Sequence, residues 1–143
     1  MGYTHYWSVN EPSKWSTIWP QLIHDANLII KTLENTAPLL DEKDDYHLPT
    51  TEHGIRINGQ NYHEDFILTE HQSCGFDFCK TARKDYDIVF AIILMRAKML
   101  AGCAFSLSSD GDWDWDHEWQ DVLGVYVKLW PDEERPTGDV LDQ

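Results

Sequence analysis

Positive charge is what this chain has least of. Eleven Lys and Arg stand against 25 Asp and Glu in 143 residues, giving a formal net charge of -14. Phosphates are repelled by most of such a surface, which excludes broad binding to DNA, RNA or anionic lipid. Acidity of this kind also serves solubility without implying any partner. Long apolar runs are missing too. The longest, Ile88 to Met95, has 8 residues, far short of the roughly 20 that a membrane-spanning helix needs, so no membrane partner is expected. The opening MGYTHYWSV lacks a basic stretch followed by an apolar one, so no secretory leader is visible. Cysteines number only 3 (Cys74, Cys79, Cys103). That odd count excludes a dense disulfide framework and makes reduced thiols the expectation.

What the chain has in quantity is apolar and aromatic residues: 42% hydrophobic, 13% aromatic, with 7 Trp. A disordered acidic chain carries no such load, and the length suits one domain with its own core. GYTHYWSV (2–9) alternates aromatic and β-branched residues and predicts a strand, with Tyr3, His5 and Trp7 on one face. Leu22, Ala26, Ile29, Ile30 and Leu33 form one helical face. Because Pro20 is costly inside a helix, the expected helix runs over 17–34, and Asn10 is a candidate cap for a short earlier turn. Residues 35–53 read as a long loop, a candidate lid. Short β-like runs follow at Ile55–Ile57 and Phe66–Thr69, and Phe76 and Phe78 continue or add a strand. Tyr86, Val89, Phe90, Ile93, Ala97 and Leu100 mark a second helix, capped by Asp85 or Asp87 and ended by Gly102. A strand over 103–109 comes next. Residues 122–130 fit either helix or strand, and 131–143 reads as a frayed acidic tail. The order β-α-β-β-α-β plus one element predicts an α+β, ferredoxin-like split βαβ fold in a single domain spanning 1–143, an antiparallel sheet with helices on one face.

The scarce cations are not scattered. Lys80, Arg83 and Lys84 lie within five residues of one another, beside Thr81, where the chain enters the second helix. A helix N-terminus offers unpaired N–H groups and the positive end of the macrodipole, so this cluster is a candidate phosphate or carboxylate cradle. The glycine-rich P-loop pattern is absent, and the plainer reading is that these cations pair with surface acids. In SSDGDWDWDHEW, Asp110, Asp112, Asp114 and Asp116 alternate with Gly111, Trp113 and Trp115. Extended, the four carboxylates share a face suited to a hard cation, although the EF-hand ligand order is missing. Alternatively, Trp113 or Trp115 stacks on a base or sugar while an Asp such as Asp110, with Ser109 beside it, meets its N–H or O–H groups. Otherwise this is a turn with a helix cap. His63, His71, Cys74 and Cys79 are compatible with zinc but lack paired C-x-x-C knuckles. His5 is a candidate acid/base or ligand-binding group, against the bland alternative of a satisfied half-buried histidine. No cofactor is expected.

Three segments taken together, GYTHYW (2–7), FCKTARKDYD (78–87) and SSDG (108–111), resemble a family of small proteins encoded by tailed bacteriophages. That family opens on GYTHYW or GYTHYF and carries F-C-K-T/E-x-R-[KR]-x-Y-D and S-S-D-G-x-W. Asp85 stands where the family pattern has Pro, which bears on the entry to the second helix. The resemblance implies an accessory protein acting in the host cytoplasm. The expected function is sequestration of a small anionic ligand, a nucleotide or nucleotide-derived immune signal, held by Lys80, Thr81, Arg83, Lys84, His5, Ser109, Asp110 and Trp113. A phosphodiesterase or nucleotide-modifying enzyme using His5, Asp110 and Asp112 is the alternative. An acidic inhibitor or nucleic-acid mimic docking on a host protein is a third reading, and a second copy of the chain is a further candidate partner.

Overall fold

The computed structural model describes residues 4–33, 50–51, 54–57, 66–70, 76–80, 87–111, 113 and 119–141. Strand β1 (Thr4–Val9) leads into helix α1 (Pro12–Thr32). Three strands follow, β2 (Ile55–Ile57), β3 (Phe66–Leu68) and β4 (Phe76–Lys80), and then helix α2 (Asp87–Ala101). Strand β5 (Phe105–Ser109) and helix α3 (Trp119–Leu129) complete the elements. Helices and antiparallel strands are mixed, as expected. Their order differs from β-α-β-β-α-β, because three strands rather than two separate α1 from α2. β2 and β3 pair with each other in a sheet of their own, while β1 sits centrally in a second antiparallel sheet of order β4-β1-β5.

One face of that sheet is buried and the other is not. Trp7, Val9, Phe105 and Leu107 point into the core, while Tyr6, Ser8, Ser106 and Ser108 are half-buried on the opposite side. This is the alternation expected of an antiparallel sheet covered on one side. The cover is α2, whose residues Val89 to Ala97 are buried all round and which packs against α1, α3 and β5. A helix that is apolar on every face belongs inside. Gly102, at φ +60, ends it in the left-handed region that glycine adopts freely.

α1 begins at Pro12 and runs through Pro20, five residues earlier than the proline suggested. Trp15 and Trp19 explain the difference. Both are fully buried, and burying an indole is worth about 4–6 kcal/mol, more than the roughly 3 kcal/mol that an internal proline costs. Their indole N–H groups donate to the Thr69 and Thr51 carbonyls at 2.9 and 3.2 Å, tying α1 to the chain beside the β2–β3 pair. Asn10 does not cap α1. Its side-chain amide donates instead to the Cys103 carbonyl and the Ser106 hydroxyl. Residues 122–129 resolve as helix because Trp119, Val122, Leu123 and Tyr126 fall on one stripe and are all buried. Within the described part of the segment after Pro131, Val140 and Leu141 are buried in the core and Glu133 bonds to Arg96 of α2. The loop expected over 35–53 lies, apart from residues 50 and 51, outside the described residues.

Candidate functional site

Two buried polar clusters interrupt this apolar interior, and they are built differently. The first joins the three helices. Arg96, only 3% exposed, stands in the middle of the apolar run of α2. Its Nε donates to Asp25 Oδ2 of α1 at 2.7 Å, Nη1 to the Tyr126 hydroxyl of α3 at 2.7 Å, and Nη1 and Nη2 to the two Glu133 oxygens at 2.8 and 3.2 Å. The guanidinium also lies 4.1 Å from the ring centre of Trp130. Gln21 donates to the other Asp25 oxygen at 3.0 Å. Burial opposes the Arg96 charge, but hydrogen bonds to Glu133, Asp25 and Tyr126 outweigh it and hold the group protonated more firmly than an ordinary arginine. Burial pushes the Tyr126 phenol up against the opposing pull of Arg96. The Arg96 hydrogen bond holds the Glu133 carboxyl below the usual range. Saturated on every side, this cluster is a fastener between helices.

The second cluster lies where β1 starts and β5 ends. Antiparallel pairing sets His5 opposite Ser109 and Thr4 opposite Lys80. His5 is fully buried, and its ring bridges two elements: Nδ1 is 2.8 Å from Ser109 Oγ, and Nε2 is 2.7 Å from Asp87 Oδ1 at the first residue of α2. The Ser109 hydroxyl oxygen also accepts the Gly111 N–H at 2.9 Å. Asp110 folds back over the same corner. Its Oδ2 accepts the Thr4 N–H at 3.0 Å, its Oδ1 accepts the Tyr6 hydroxyl at 3.3 Å, and its own N–H donates to the Thr4 carbonyl. Trp119 of α3 meets the His5 ring edge-on, with centroids 5.3 Å apart. The Trp119 indole N–H is buried and has no hydrogen-bond partner among the described residues. A buried donor left unpaired costs about 1–3 kcal/mol.

The hydrogen bonds fix how His5 is used. A carboxylate only accepts, so Asp87 takes the proton on Nε2. In the neutral ring Nδ1 then carries the lone pair and receives the Ser109 O–H, while the Ser109 oxygen keeps its remaining capacity for Gly111. Asp87 is 18% exposed and Ser109 is half-buried, so the chain of bonds runs from a closed interior to the surface.

Of the residues singled out in the sequence, His5, Ser109 and Asp110 meet at this corner. Lys80 reaches it through its backbone, opposite Thr4. Thr81, Arg83, Lys84 and Asp112 lie outside the described residues, as do His63, His71, Cys74, Asp114 and Asp116. Among the described residues no group of three His, Cys, Asp or Glu is set to hold a metal, and no helix is long and apolar enough to cross a membrane. Trp113 packs beside Gly138, where a Cβ would come within 3.3 Å of its ring, and its carbonyl accepts from Gln120. The aromatic ring beside His5 is thus Trp119, and the carboxylate on its Nε2 is Asp87. Sequence patterns gave Asp87 only a capping role and did not point to Trp119. A local role sufficed for the first, and nothing distinguishes one of seven tryptophans for the second. Compared with known proteins, the chain matches no family model, no curated protein and no solved structure.

Proposed function

We propose that this protein is a phage accessory protein that binds a small anionic ligand, a nucleotide or nucleotide-derived immune signal, in the host cytoplasm and withholds it from its receptor. The observation that carries this reading is the anchoring of the cation-bearing segment at both ends of one corner. Lys80 pairs across from Thr4, and Asp87, seven residues later, is bonded to His5. Lys80, Thr81, Arg83 and Lys84 would hold the phosphate, with His5, Ser109, Asp110 and Trp113 meeting the rest of the ligand. The central position of β1 between β4 and β5 also supports a split-βαβ ancestry for this sheet, with β2–β3 as an added pair.

The test is a thermal-shift panel of mono-, di- and cyclic nucleotides followed by mass analysis of the released ligand. A ligand present at 100 times its Kd stabilises by about 2.7 kcal/mol, and it should return intact. Stabilisation undiminished in the Lys80→Ala, Arg83→Ala double variant would sink the cradle. Recovery of a cleaved ligand would favour the nucleotide-modifying alternative, for which the bonding of His5 to both Ser109 and Asp87 speaks.

A further inference from the structure

The Asp87–His5–Ser109 chain has the bonding pattern of an activated nucleophile. Three side chains from three elements, 82 and 104 residues apart from His5 in sequence, converge with contacts of 2.7 and 2.8 Å. Each atom has the polarity that the chemistry requires. The carboxylate accepts from Nε2, Nδ1 faces the serine hydroxyl as an acceptor, and Ser109 is half-buried at the last position of β5. The imidazole is fully buried against Trp119, so no water competes for its lone pair. A purely architectural bridge needs only that the three groups be hydrogen-bonded. It does not require a hydroxyl on the lone-pair nitrogen at a half-buried strand end.

We infer that Ser109 is a nucleophile, with His5 as its general base and Asp87 positioning the imidazole, and that the site transfers the acyl group of a carboxylic ester or amide. The class of substrate follows from there being one imidazole. In-line displacement at phosphorus places the leaving group on the side opposite the nucleophile, where the same ring does not reach it. At a carbonyl carbon, nucleophile and leaving group occupy one tetrahedral centre, and a single base serves both. Ser109 Oγ forms a bond to the carbonyl carbon as its proton passes to His5 Nδ1. Collapse of the tetrahedral adduct breaks the bond to the leaving oxygen or nitrogen, which takes that proton from Nδ1. Water then repeats the two steps on the acyl-serine, releasing the carboxylic acid and restoring the hydroxyl. This activity goes beyond ligand retention and does not depend on the phosphate cradle.

The experiment treats the full chain with an alkyl fluorophosphonate, whose fluoride leaves without acid assistance, and follows intact mass and peptide maps. One adduct is expected, on Ser109, and none in Ser109→Ala. Labelling should slow by about 10²–10⁴-fold in His5→Asn, which removes the base. It should slow within the same range in Asp87→Asn, whose amide donates to Nε2 and leaves Nδ1 protonated toward the serine. p-Nitrophenyl acetate should give a burst of one equivalent of nitrophenolate in the wild type. The Asp87→Asn variant keeps a hydrogen bond at the same place, so its near-UV circular dichroism reports whether the fold is intact. Folded wild-type protein that takes no label on Ser109, or labelling as fast in Asp87→Asn as in the wild type, overturns the inference. Nucleotide stabilisation without labelling would leave ligand binding standing and remove the nucleophile; labelling without stabilisation would do the reverse.

Discussion

Arg96 and His5 are both almost completely buried, both polar and both bonded to an aspartate on another element, yet they do different things with their partners. Around Arg96 the contacts close on the guanidinium itself, and of its partners Asp25, Tyr126 and Glu133 only Glu133 reaches the surface. Asp25, Tyr126 and Glu133 take its donors, and Trp130 covers its face. Around His5 the bonds lead outward, from a closed ring to a serine at the end of a strand. Burial and hydrogen bonding alone therefore do not separate a structural cluster from a reactive one. What separates them is whether the bonds end on carboxylates that only accept from the buried cation or on a hydroxyl held against a lone-pair nitrogen.

The sharpest way to break this contrast is to remove the hub of the closed cluster. Arg96→Leu strands the Asp25 carboxylate, itself only 2% exposed, and should cost about 3–5 kcal/mol in urea unfolding. Arg96→Leu combined with Asp25→Leu should recover a good part of that, since no buried charge is then left unpaired and Glu133 is exposed enough to be solvated. An equal or larger loss in the double variant would mean that the helices are held by the ion pair itself rather than by its completeness. His5→Asn comes next, at about 1–3 kcal/mol, because Asp87 and Ser109 each lose a partner in a partly buried setting. Ser109→Ala should cost about 1–3 kcal/mol, because the fully buried His5 Nδ1 loses the Ser109 hydroxyl, while abolishing reaction with a fluorophosphonate. A loss as large as that of Arg96→Leu would make Ser109 part of a fastener and erase the distinction.

The smallest effect is at the exposed rim of the Arg96 cluster. Glu133 is 49% exposed, so Glu133→Gln should cost no more than about 0.2–1 kcal/mol at neutral pH. Its carboxyl is held below the ordinary range in the folded state. Its contribution is therefore present above that ordinary range and disappears as pH falls through the lower folded value. Melting temperatures of wild type and Glu133→Gln measured on acidification should converge. A gap that widens toward acid would contradict the assigned role.

How much of this was legible in the residues depended on how local the cause was. The core face of α1 and the start of β1 follow from periodicity, and so does α2 as an apolar helix ended by Gly102. The stripe Trp119, Val122, Leu123, Tyr126 was equally available, but Val122, Val125 and Val127 lend the same stretch a strand-like composition, and only burial decides between them. Pro20 misled because proline cost is local, whereas the gain from Trp15 and Trp19 depends on what they pack against. His5, Ser109 and Asp110 stood out by residue type. Their meeting required the β1–β5 register, and the choice of Asp87 over the neighbouring acids required the placement of α2. Arg96 and Asp25 carry a fainter signal: each is a lone charge on an otherwise apolar helix face, and opposite charges so placed are candidates for each other.

The register of the central strand also has a consequence for how the molecule is made. β1 emerges from the ribosome about a hundred residues before β5, and at roughly 5–20 residues per second that is a wait of about 5–20 s. β4 and the covering helix α2 are made earlier and can reach one edge and one face of β1, but its other edge has no neighbour until β5 follows. A strand with one edge open so long is exposed to wrong pairings, and the polar Thr4, His5 and Ser8 within β1 lessen that exposure. The corner that joins His5 to Ser109 is among the last parts of the protein to come into being.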